Sequence, residues 1–394
     1  MPHFKRITLV LALCASLLSG LMSAAEQNTA RPGANHELPP YDFAISNGLY
    51  ATITIPKSYE KPVLVNDRKL KIKVDGFAKE IEGRVLWQRE HQAPLAVLLL
   101  GLSARAKDDL SQVWTSYLYE SGYHVLIFDS VFHPDFCKRA AQGASGHLVV
   151  EAELVGKIIE QFRNSSEAQG RITQIGLVGT SYGGTVALNC MRLAQQGKFP
   201  FVPDRVLAVS PPISLKYAAQ FLDRCYTEDL PKFGLMDLLP LRGHEPVPAG
   251  SPVPFSDSMM RAGIGYVFHG DLENVVSRNL KLYGSQIPGL TIRDTKHCTF
   301  QDYEEMLAQK YWEAKTTTPL DLWSLGELNT LLQGASDKVR VVLAADDPLD
   351  DPTQVENIKN SVPAGVLTVL PHGGHLGFVG CKWTKARLAS LFVD

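Results

Sequence analysis

Residues 179–183 read GTSYG, which fits the pattern G-x-S-x-G with Ser181 at its centre. In that pattern the serine lies on a sharp turn between a strand and a helix, with its hydroxyl available for nucleophilic attack. The five residues alone are weak evidence, because glycine and serine are common in ordinary turns. The apolar run ITQIGLVG precedes the serine, however, and the helical pattern GTVALNCMRLAQQG follows it. This context predicts that Ser181 is a nucleophile.

A serine nucleophile needs a base to remove its proton and an acid to hold that base in the correct tautomer. Two candidate acids, Asp346 and Asp347, directly follow the run KVRVVLAA. We predict Asp347 as the acid, because Pro348 fixes a turn that would hold its carboxylate at the end of the strand. Asp346 is the alternative. Asp350 and Asp351 lie in the next turn and are expected to cap the following helix.

Two candidate bases follow the last predicted strand, GVLTVLP. His372 and His375 flank a pair of glycines, which allows a tight loop to bring a ring back over the sheet. We predict His375 as the base and expect His372 to pack or to face solvent. The order Ser181, Asp347, His375 along the chain is the order that a serine on a strand–turn–helix requires.

Acyl transfer also requires two preorganised N–H donors for the oxygen that becomes negatively charged. One donor usually belongs to the residue after the nucleophile, and the other to the loop after an earlier strand. Tyr182 and Leu102 occupy these positions, and Leu102 lies in the turn LGLSAR. Their backbone N–H groups are the predicted oxyanion hole.

The elements that must position these residues follow an alternating pattern. Continuous apolar runs such as PLAVLLLG, YHVLIFD and DRVLAVSPP alternate with helical segments such as KDDLSQVWTSYLYESG. This alternation is typical of an α/β fold with a mostly parallel sheet flanked by helices. Before it, the short runs LYATITIP, LKIKVDGF and RVLWQRE predict antiparallel strands that open the sheet.

The alternation stops after Pro212 and resumes only with KVRVVLAADDP. Such a long connection is not needed to build a compact sheet, so residues 213–336 are predicted to form a cap or lid insertion. The run FGLMDLLPL would give this insertion an apolar face. Residues 49–212 and 337–394 are then the predicted core.

The N-terminal segment has the pattern of an export signal. A basic start, MPHFKR, is followed by an apolar run and by small residues at Ser23 and Ala25, which predicts a signal peptide over residues 1–25. An uncleaved membrane anchor is the alternative. Residues 26–48 are predicted to be a linker, and the mature protein is expected to be periplasmic or secreted, with no stable membrane span. Five cysteines remain after cleavage, so disulfides would be permitted and one thiol would be left over.

Composition excludes several function classes. The chain has 39 basic and 41 acidic residues and a net charge of −2, which argues against a nucleic-acid partner. No Cys or His cluster has zinc spacing, so no metal site is predicted. No G-x-G-x-x-G motif follows the first buried strand, and no cofactor is predicted.

From about Leu49 onward the chain resembles the α/β-hydrolase superfamily of serine hydrolases. AADDP and GGHLGF, at the predicted acid and base, resemble the motifs of the YheT-like branch, as does the long insertion before them. The resemblance implies an α/β-hydrolase fold and a carboxylic ester hydrolase in which Ser181, Asp347 and His375 are nucleophile, acid and base. The apolar insertion favours a small-molecule or lipid-like ester with a hydrophobic acyl group, and amides and thioesters remain open.

A second hypothesis belongs to a different class. The family usually has His-Gly in the oxyanion turn where this chain has Leu100 before Gly101, and the loop around Phe132 also departs from the family pattern. An exported protein that keeps the fold as a catalytically weak or inactive binding module would explain these departures. The presence of all three triad residue types in the correct order favours the enzyme.

Overall fold

The computed structural model describes residues 38–55, 62, 64, 67–141, 143–243, 247, 250–290, 294–363 and 365–393. The predicted signal peptide and the first part of the predicted linker, residues 26–37, lie outside the described residues. Within the described part of the chain, no helix combines the length and the apolar character that crossing a bilayer requires.

An eight-stranded sheet forms the centre of the described chain, with the strand order β1-β2-β4-β3-β5-β6-β7-β8. Strands β1 and β2 pair antiparallel, as do β2 and β4, and the remaining pairs are parallel. The predicted α/β class and the antiparallel start of the sheet are therefore confirmed. The strands are β1 Asp67–Ile72, β2 Ile81–Leu86, β3 Ala93–Leu99, β4 His124–Phe128, β5 Ile172–Thr180, β6 Arg205–Val209, β7 Val339–Ala344 and β8 Leu367–Leu370.

Helices connect the parallel strands and cover the sheet. Those before β7 are α1 Gly48–Ile53, α2 Asp109–Glu120, α3 Pro134–Ala140, α4 Leu148–Arg163, α5 Tyr182–Gln195, α6 Leu215–Arg224, α7 Leu235–Gly243, α8 Asp257–Tyr283, α9 Phe300–Tyr303, α10 Gln309–Glu313 and α11 Leu328–Leu331. After β7 come α12 Pro352–Ser361 and α13 Lys382–Ala389. Single π-helical turns extend α6 over Cys225–Asp229 and join α9 to α10 over Glu304–Ala308.

The core lies on both faces of the sheet, as the continuous apolar runs predict. Alternate residues of β3 show this directly: Leu95 and Val97 belong to one buried cluster, whereas Ala96 and Leu98 belong to the other. Because successive side chains of a strand point to opposite faces, a strand covered on both sides must be apolar throughout.

The first predicted strand is wrong. LYATITIP was expected to open the sheet, but residues Gly48–Ile53 form α1. Asn47 caps this helix, since its side chain accepts a hydrogen bond from the N–H of Tyr50 at 2.8 Å. Tyr50 and Ala51 are fully buried. Tertiary burial and an N-cap thus override the strand propensity of a Thr- and Ile-containing run.

The described end of the predicted linker packs on the core. The Tyr41 hydroxyl donates to the carbonyl of His372 at 2.7 Å. Leu38, Tyr41 and Phe43 pack against one of the two buried clusters. Residues 38–47 therefore contact the core closely, which the polar and proline-bearing sequence did not indicate.

The connection between β6 and β7 contains helices and turns but no strand among its described residues. Its exposed apolar side chains are concentrated on α7 and the middle of α8, at Leu235, Met236, Leu239, Tyr266 and Val267. That residues 213–336 act as a cap or lid stays a prediction.

The described cysteines form no disulfide. Cys137, Cys190, Cys225, Cys298 and Cys381 are all buried free thiols. The disulfides that export would permit are therefore absent among these five residues, which pack as small apolar groups.

The end of β5 approaches its neighbours closely. A Cβ atom on Gly183, in the first turn of α5, would overlap the carbonyl oxygens of Leu99 and Leu100. A Cβ atom on Gly179 would overlap the backbone of Gly183. Glycine is therefore required where α5 crosses the ends of β3 and β5.

We expect Gly183→Ala to lower the free energy of unfolding by about 1–3 kcal/mol, because the new methyl group meets immobile backbone. Gly270→Ala is the matched control: this glycine lies inside α8 with open space around its Cβ position. That change should raise stability by about 0.5–1 kcal/mol through helix propensity. Urea unfolding followed by circular dichroism measures both, and equal effects of the two changes would contradict the packing argument.

Candidate active site

The parallel strands bring four loops to one edge of the sheet. β3 and β5 are neighbours, and so are β7 and β8, and each pair runs in one direction. The loops after their carboxyl ends therefore meet, which places Leu102 near Ser181 and Asp347 near His375. The connections from β3 and β5 leave in opposite directions, and such a switch point forms a crevice where ligands bind in open α/β sheets.

Ser181 lies on the sharp turn between β5 and α5 with φ 52° and ψ −126°. A non-glycine residue seldom adopts a positive φ, and such strain persists only where the surroundings enforce it. Here the N–H of Ser181 donates to the carbonyl of Val209 at 2.8 Å, which ties the turn to the end of β6. The side chain is largely buried, with 7% of the residue exposed.

His375 links the serine to a carboxylate. Its Nε2 is 2.8 Å from Ser181 Oγ, and its Nδ1 is 2.8 Å from Asp347 Oδ2. An ionised carboxylate can only accept, so Nδ1–H donates to Asp347 and Nε2 is left to accept the serine proton. All three residues are buried. The structure thus brings together the three predicted triad residues in a continuous hydrogen-bonded series.

Helix α1 holds the loop that carries His375. The backbone N–H of His375 donates to Thr52 Oγ1 at 2.9 Å, and Thr52 Oγ1 in turn donates to the carbonyl of Gly48. Gly374 has φ +57°, and a Cβ atom on it would overlap the carbonyl oxygen of Gly48. Helix and loop are therefore in close contact, and the glycine pair is needed for contact as well as for the turn.

The four neighbouring aspartates have different partners. Asp347 accepts a second hydrogen bond, from the N–H of Leu349 at 2.9 Å, which fixes its carboxylate. Asp346 instead accepts from the N–H of Gly374 at 2.8 Å. Asp351 caps α12 as expected, with its side chain accepting from Thr353.

Asp350 is not a helix cap, in contrast to the prediction. It is buried and accepts a hydrogen bond from the N–H of Ile213 at 2.7 Å. Burial and the nearby Asp347 raise the pKa of Asp350 well above its ordinary value.

His372 packs against aromatic side chains of the segment before α1. Its carbonyl accepts the Tyr41 hydroxyl, and its ring lies 5.4 Å from the ring of Tyr41 and 6.2 Å from that of Phe43, centroid to centroid. The expectation of a packing role holds for this histidine.

The two predicted oxyanion donors lie beside the serine. Leu102, Ser181 and Tyr182 line one cavity. The N–H of Leu102 donates to no group of the described residues. Tyr182 begins α5, where the first N–H groups have no partner inside the helix and carry the positive end of its dipole.

Two buried glutamates near the site were missed by sequence reasoning. Glu151 accepts the Tyr182 hydroxyl at 2.6 Å and the N–H of Gly146 at 2.8 Å, and burial raises its pKa to about 7. Glu304 lines the cavity at Ser181, and burial followed by the charge of Glu151 raises its pKa to about 8. Both lie in segments whose apolar residues have helical periodicity. A single acidic residue on the apolar face of such a segment is the sequence feature that could have identified them.

Among the described residues, no group of three His, Cys, Asp or Glu side chains is arranged to hold a metal ion. The chemistry available here is proton transfer along the series from Ser181 to Asp347.

Replacing Glu304 by glutamine should remove a pH-dependent loss of stability. The pKa of Glu304 rises from 4.5 to about 8 on folding, so the folded protein binds more protons and its stability falls as pH rises through that range. The melting temperature of Glu304→Gln relative to wild type should therefore increase from about pH 4.5 to about pH 8. The acids that act on Glu304, namely Glu151, Asp321 and Glu305, are present in both proteins. Glu305→Gln, at an exposed neighbour, removes only the smallest of these influences and should show a much weaker trend. A constant gap for Glu304→Gln would contradict the prediction.

Comparison with known proteins shows which family this chain belongs to. The model of the alpha/beta hydrolase family matches residues 96–380, which is more than half of the chain. No curated protein matches the chain. Many solved structures are similar. One is an esterase of Pyrococcus furiosus with 13% sequence identity and a TM-score of 0.45, and the match covers 91% of this chain and 97% of that chain. An esterase of Pyrobaculum calidifontis has 15% identity, with 87% and 89% covered and a TM-score of 0.43.

A carboxylesterase of Bacillus subtilis has 12% identity, with 87% of this chain and 95% of that chain covered and a TM-score of 0.44. The assignment rests on the family model together with the mostly parallel eight-stranded sheet, which confirms the predicted α/β-hydrolase fold. The resemblance to the YheT-like branch stays a prediction. The chain belongs to the alpha/beta hydrolase family.

Proposed function

We propose that this protein is a serine hydrolase that cleaves a carboxylic ester through an acyl-enzyme on Ser181. The observation that carries the proposal is the buried series Ser181–His375–Asp347, with both hydrogen bonds at 2.8 Å. A serine hydroxyl hydrogen-bonded to an imidazole that is itself oriented by a carboxylate is the arrangement that activates the hydroxyl for attack on a carbonyl carbon.

The reaction follows from this geometry. Ser181 Oγ attacks the ester carbonyl while its proton moves to Nε2 of His375, and Asp347 stabilises the imidazolium through Nδ1–H. The imidazolium then gives the proton to the leaving alkoxide oxygen, and the alcohol departs. Water attacks the acyl-enzyme with His375 again acting as base, which releases the carboxylic acid and restores the serine.

The tetrahedral intermediate needs two donors for its oxyanion. Leu102 and Tyr182 supply them through their backbone N–H groups, which lie on rigid segments after β3 and β5. The Tyr182 hydroxyl donates to Glu151 at 2.6 Å, so the first turn of α5 is anchored through this side chain. Preorganised donors of this kind do not have to reorient as charge develops.

Two apolar cavities meet the triad on different sides. A cavity of about 80 Å³ is lined by Ser181, Tyr182 and Leu102. A larger one of about 640 Å³ reaches His375 and is lined by α1, α7 and α8, including Leu235 and Leu239. Because His375 must protonate the leaving oxygen, the larger cavity accommodates the alcohol, and the smaller one accommodates the acyl group.

The substrate class that follows is an ester of a small acyl group with a large, apolar alcohol. This differs from the hydrophobic acyl group expected from sequence, because the larger apolar space lies on the histidine side. The exposed apolar side chains of α7 border that space and would contact the alcohol.

Ser181→Ala should lower kcat for p-nitrophenyl acetate by about 10⁴-fold or more, since the nucleophile is removed. The same change should abolish covalent labelling by a fluorophosphonate probe. Ser210→Ala is the matched control, because Ser210 follows the neighbouring strand, also has a positive φ of 46°, and has a buried hydroxyl without a partner among the described residues. It should retain both activity and label.

Wild-type protein that neither takes up the probe nor hydrolyses any ester above the Ser181→Ala background would overturn the proposal. In that case the alternative, an inactive binding module on this fold, would gain support.

A pair of adjacent substitutions tests the choice of acid. Asp347→Asn keeps the shape but favours the wrong imidazole tautomer, so kcat should fall by about 10⁴-fold. Asp346→Asn should change kcat less than about tenfold, because the asparagine carbonyl can still accept from Gly374 and the imidazole keeps its partner. Steady-state kinetics on one ester measures both variants. Equal losses, or a larger loss for Asp346→Asn, would contradict the role given to Asp347.

A further inference from the structure

The small cavity at Ser181 contains a polar group that the binding of a hydrocarbon chain would not require. Its walls are mostly apolar, and among the described residues that line it Glu304 is the one carboxyl group. Apolar walls with a single convergent polar group are typical of a site that orients a specific ligand.

One oxygen of the Glu304 carboxyl group has no hydrogen-bond partner among the described residues. Glu304 is 7% exposed, and its Oε1 is buried without a hydrogen-bond partner among the described residues. Its Oε2 lies against Gly146, which also lines the cavity. The distance from this oxygen to the position that a Cβ atom on Gly146 would occupy is 3.2 Å. The N–H of Gly146 is not available to it, because that group donates to Glu151 at 2.8 Å. A buried polar group left without a partner destabilises the protein, so its retention calls for an explanation.

The backbone holds Glu304 in this place. It follows Tyr303, whose hydroxyl donates to the carbonyl of Ser145 at 3.0 Å, and it begins the π-helical turn Glu304–Ala308. π-helical turns inside α-helical segments are frequent at functional sites, where they redirect a side chain. The side chain is therefore fixed at the cavity wall by its own helix and by the loop before α4.

The charge state of Glu304 determines which ligands it accepts. Its pKa of about 8 keeps the carboxyl protonated at neutral pH, whereas the charge of Glu151 is offset by two hydrogen bonds. A neutral carboxyl offers one O–H donor and a carbonyl acceptor. A neutral carboxyl offers no opposite charge to an ionic substituent on the ligand, and a hydrocarbon would leave Glu304 unpaired.

We propose that Glu304 is a specificity-determining residue that hydrogen-bonds an uncharged oxo or hydroxyl substituent on the acyl group of the ester. This inference rests on the proposed function, since it assigns the small cavity to the acyl group. A site built to pair a buried polar group discriminates strongly against an analogue that lacks the partner, because the protein group is then left unpaired.

Matched p-nitrophenyl esters test the proposal: the 4-oxopentanoate against the pentanoate, and the 5-oxohexanoate against the hexanoate. In wild type, kcat/KM for at least one oxo ester should exceed that of its plain partner by about tenfold or more. Glu304→Met should bring that ratio close to one. Glu304→Gln, whose amide offers a donor and an acceptor, should keep most of it. Glu305→Met is the control on the exposed neighbouring residue and should leave the ratio unchanged.

The same ratio in wild type and in Glu304→Met, or no preference in wild type, would overturn the inference while leaving the proposed function intact. Failure of the proposed function looks different, because wild type would then hydrolyse none of the esters and take up no fluorophosphonate. Labelling of Ser181 in each variant shows that the site is folded. If Glu304→Met does not label, Glu304→Asp replaces it, because the shorter side chain withdraws the acid from the cavity wall and should lower the ratio in the same way.

Discussion

The hydrogen bond from His375 Nδ1–H to Asp347 holds the imidazole in the tautomer whose other nitrogen faces Ser181. The remaining features of the site serve this contact. The N–H of Leu349 fixes the carboxylate, and Thr52 of α1 fixes the backbone of the histidine loop. The short helix α1 therefore helps to position His375, because Thr52 Oγ1 accepts the backbone N–H of that residue.

The second constraint is steric and lies at the end of β5. Ser181 keeps a positive φ, which a serine adopts only with strain of about 1–3 kcal/mol. Gly179 and Gly183 allow the strand and the helix to approach, and the bond from the N–H of Ser181 to Val209 ties the turn to β6. The strain is maintained by the parallel sheet, so the stability of the sheet and the geometry of Ser181 are coupled.

The surroundings of the triad divide into spaces with different chemistry. The larger space at His375 is apolar, and α7 extends it to exposed leucines. The smaller space at Ser181 contains Glu304, whose protonated carboxyl is a consequence of its own burial and of Glu151 nearby. Under the proposed function, the histidine side selects by apolar surface and the serine side selects by a hydrogen bond. A hydrogen bond to a buried polar group discriminates more sharply than apolar contact.

Local sequence pattern was sufficient for much of this protein. The strand before Ser181, the helix after it and the parallel α/β class all follow from apolar runs, periodicity and glycine positions. The tertiary structure decided the rest. Residues 48–53 form a helix because they are buried against the histidine loop. Asp346 and Asp347 take different partners because adjacent residues point in different directions. Glu151 and Glu304 converge from distant segments of the chain. These outcomes depend on side-chain direction and long-range packing, which no local pattern encodes.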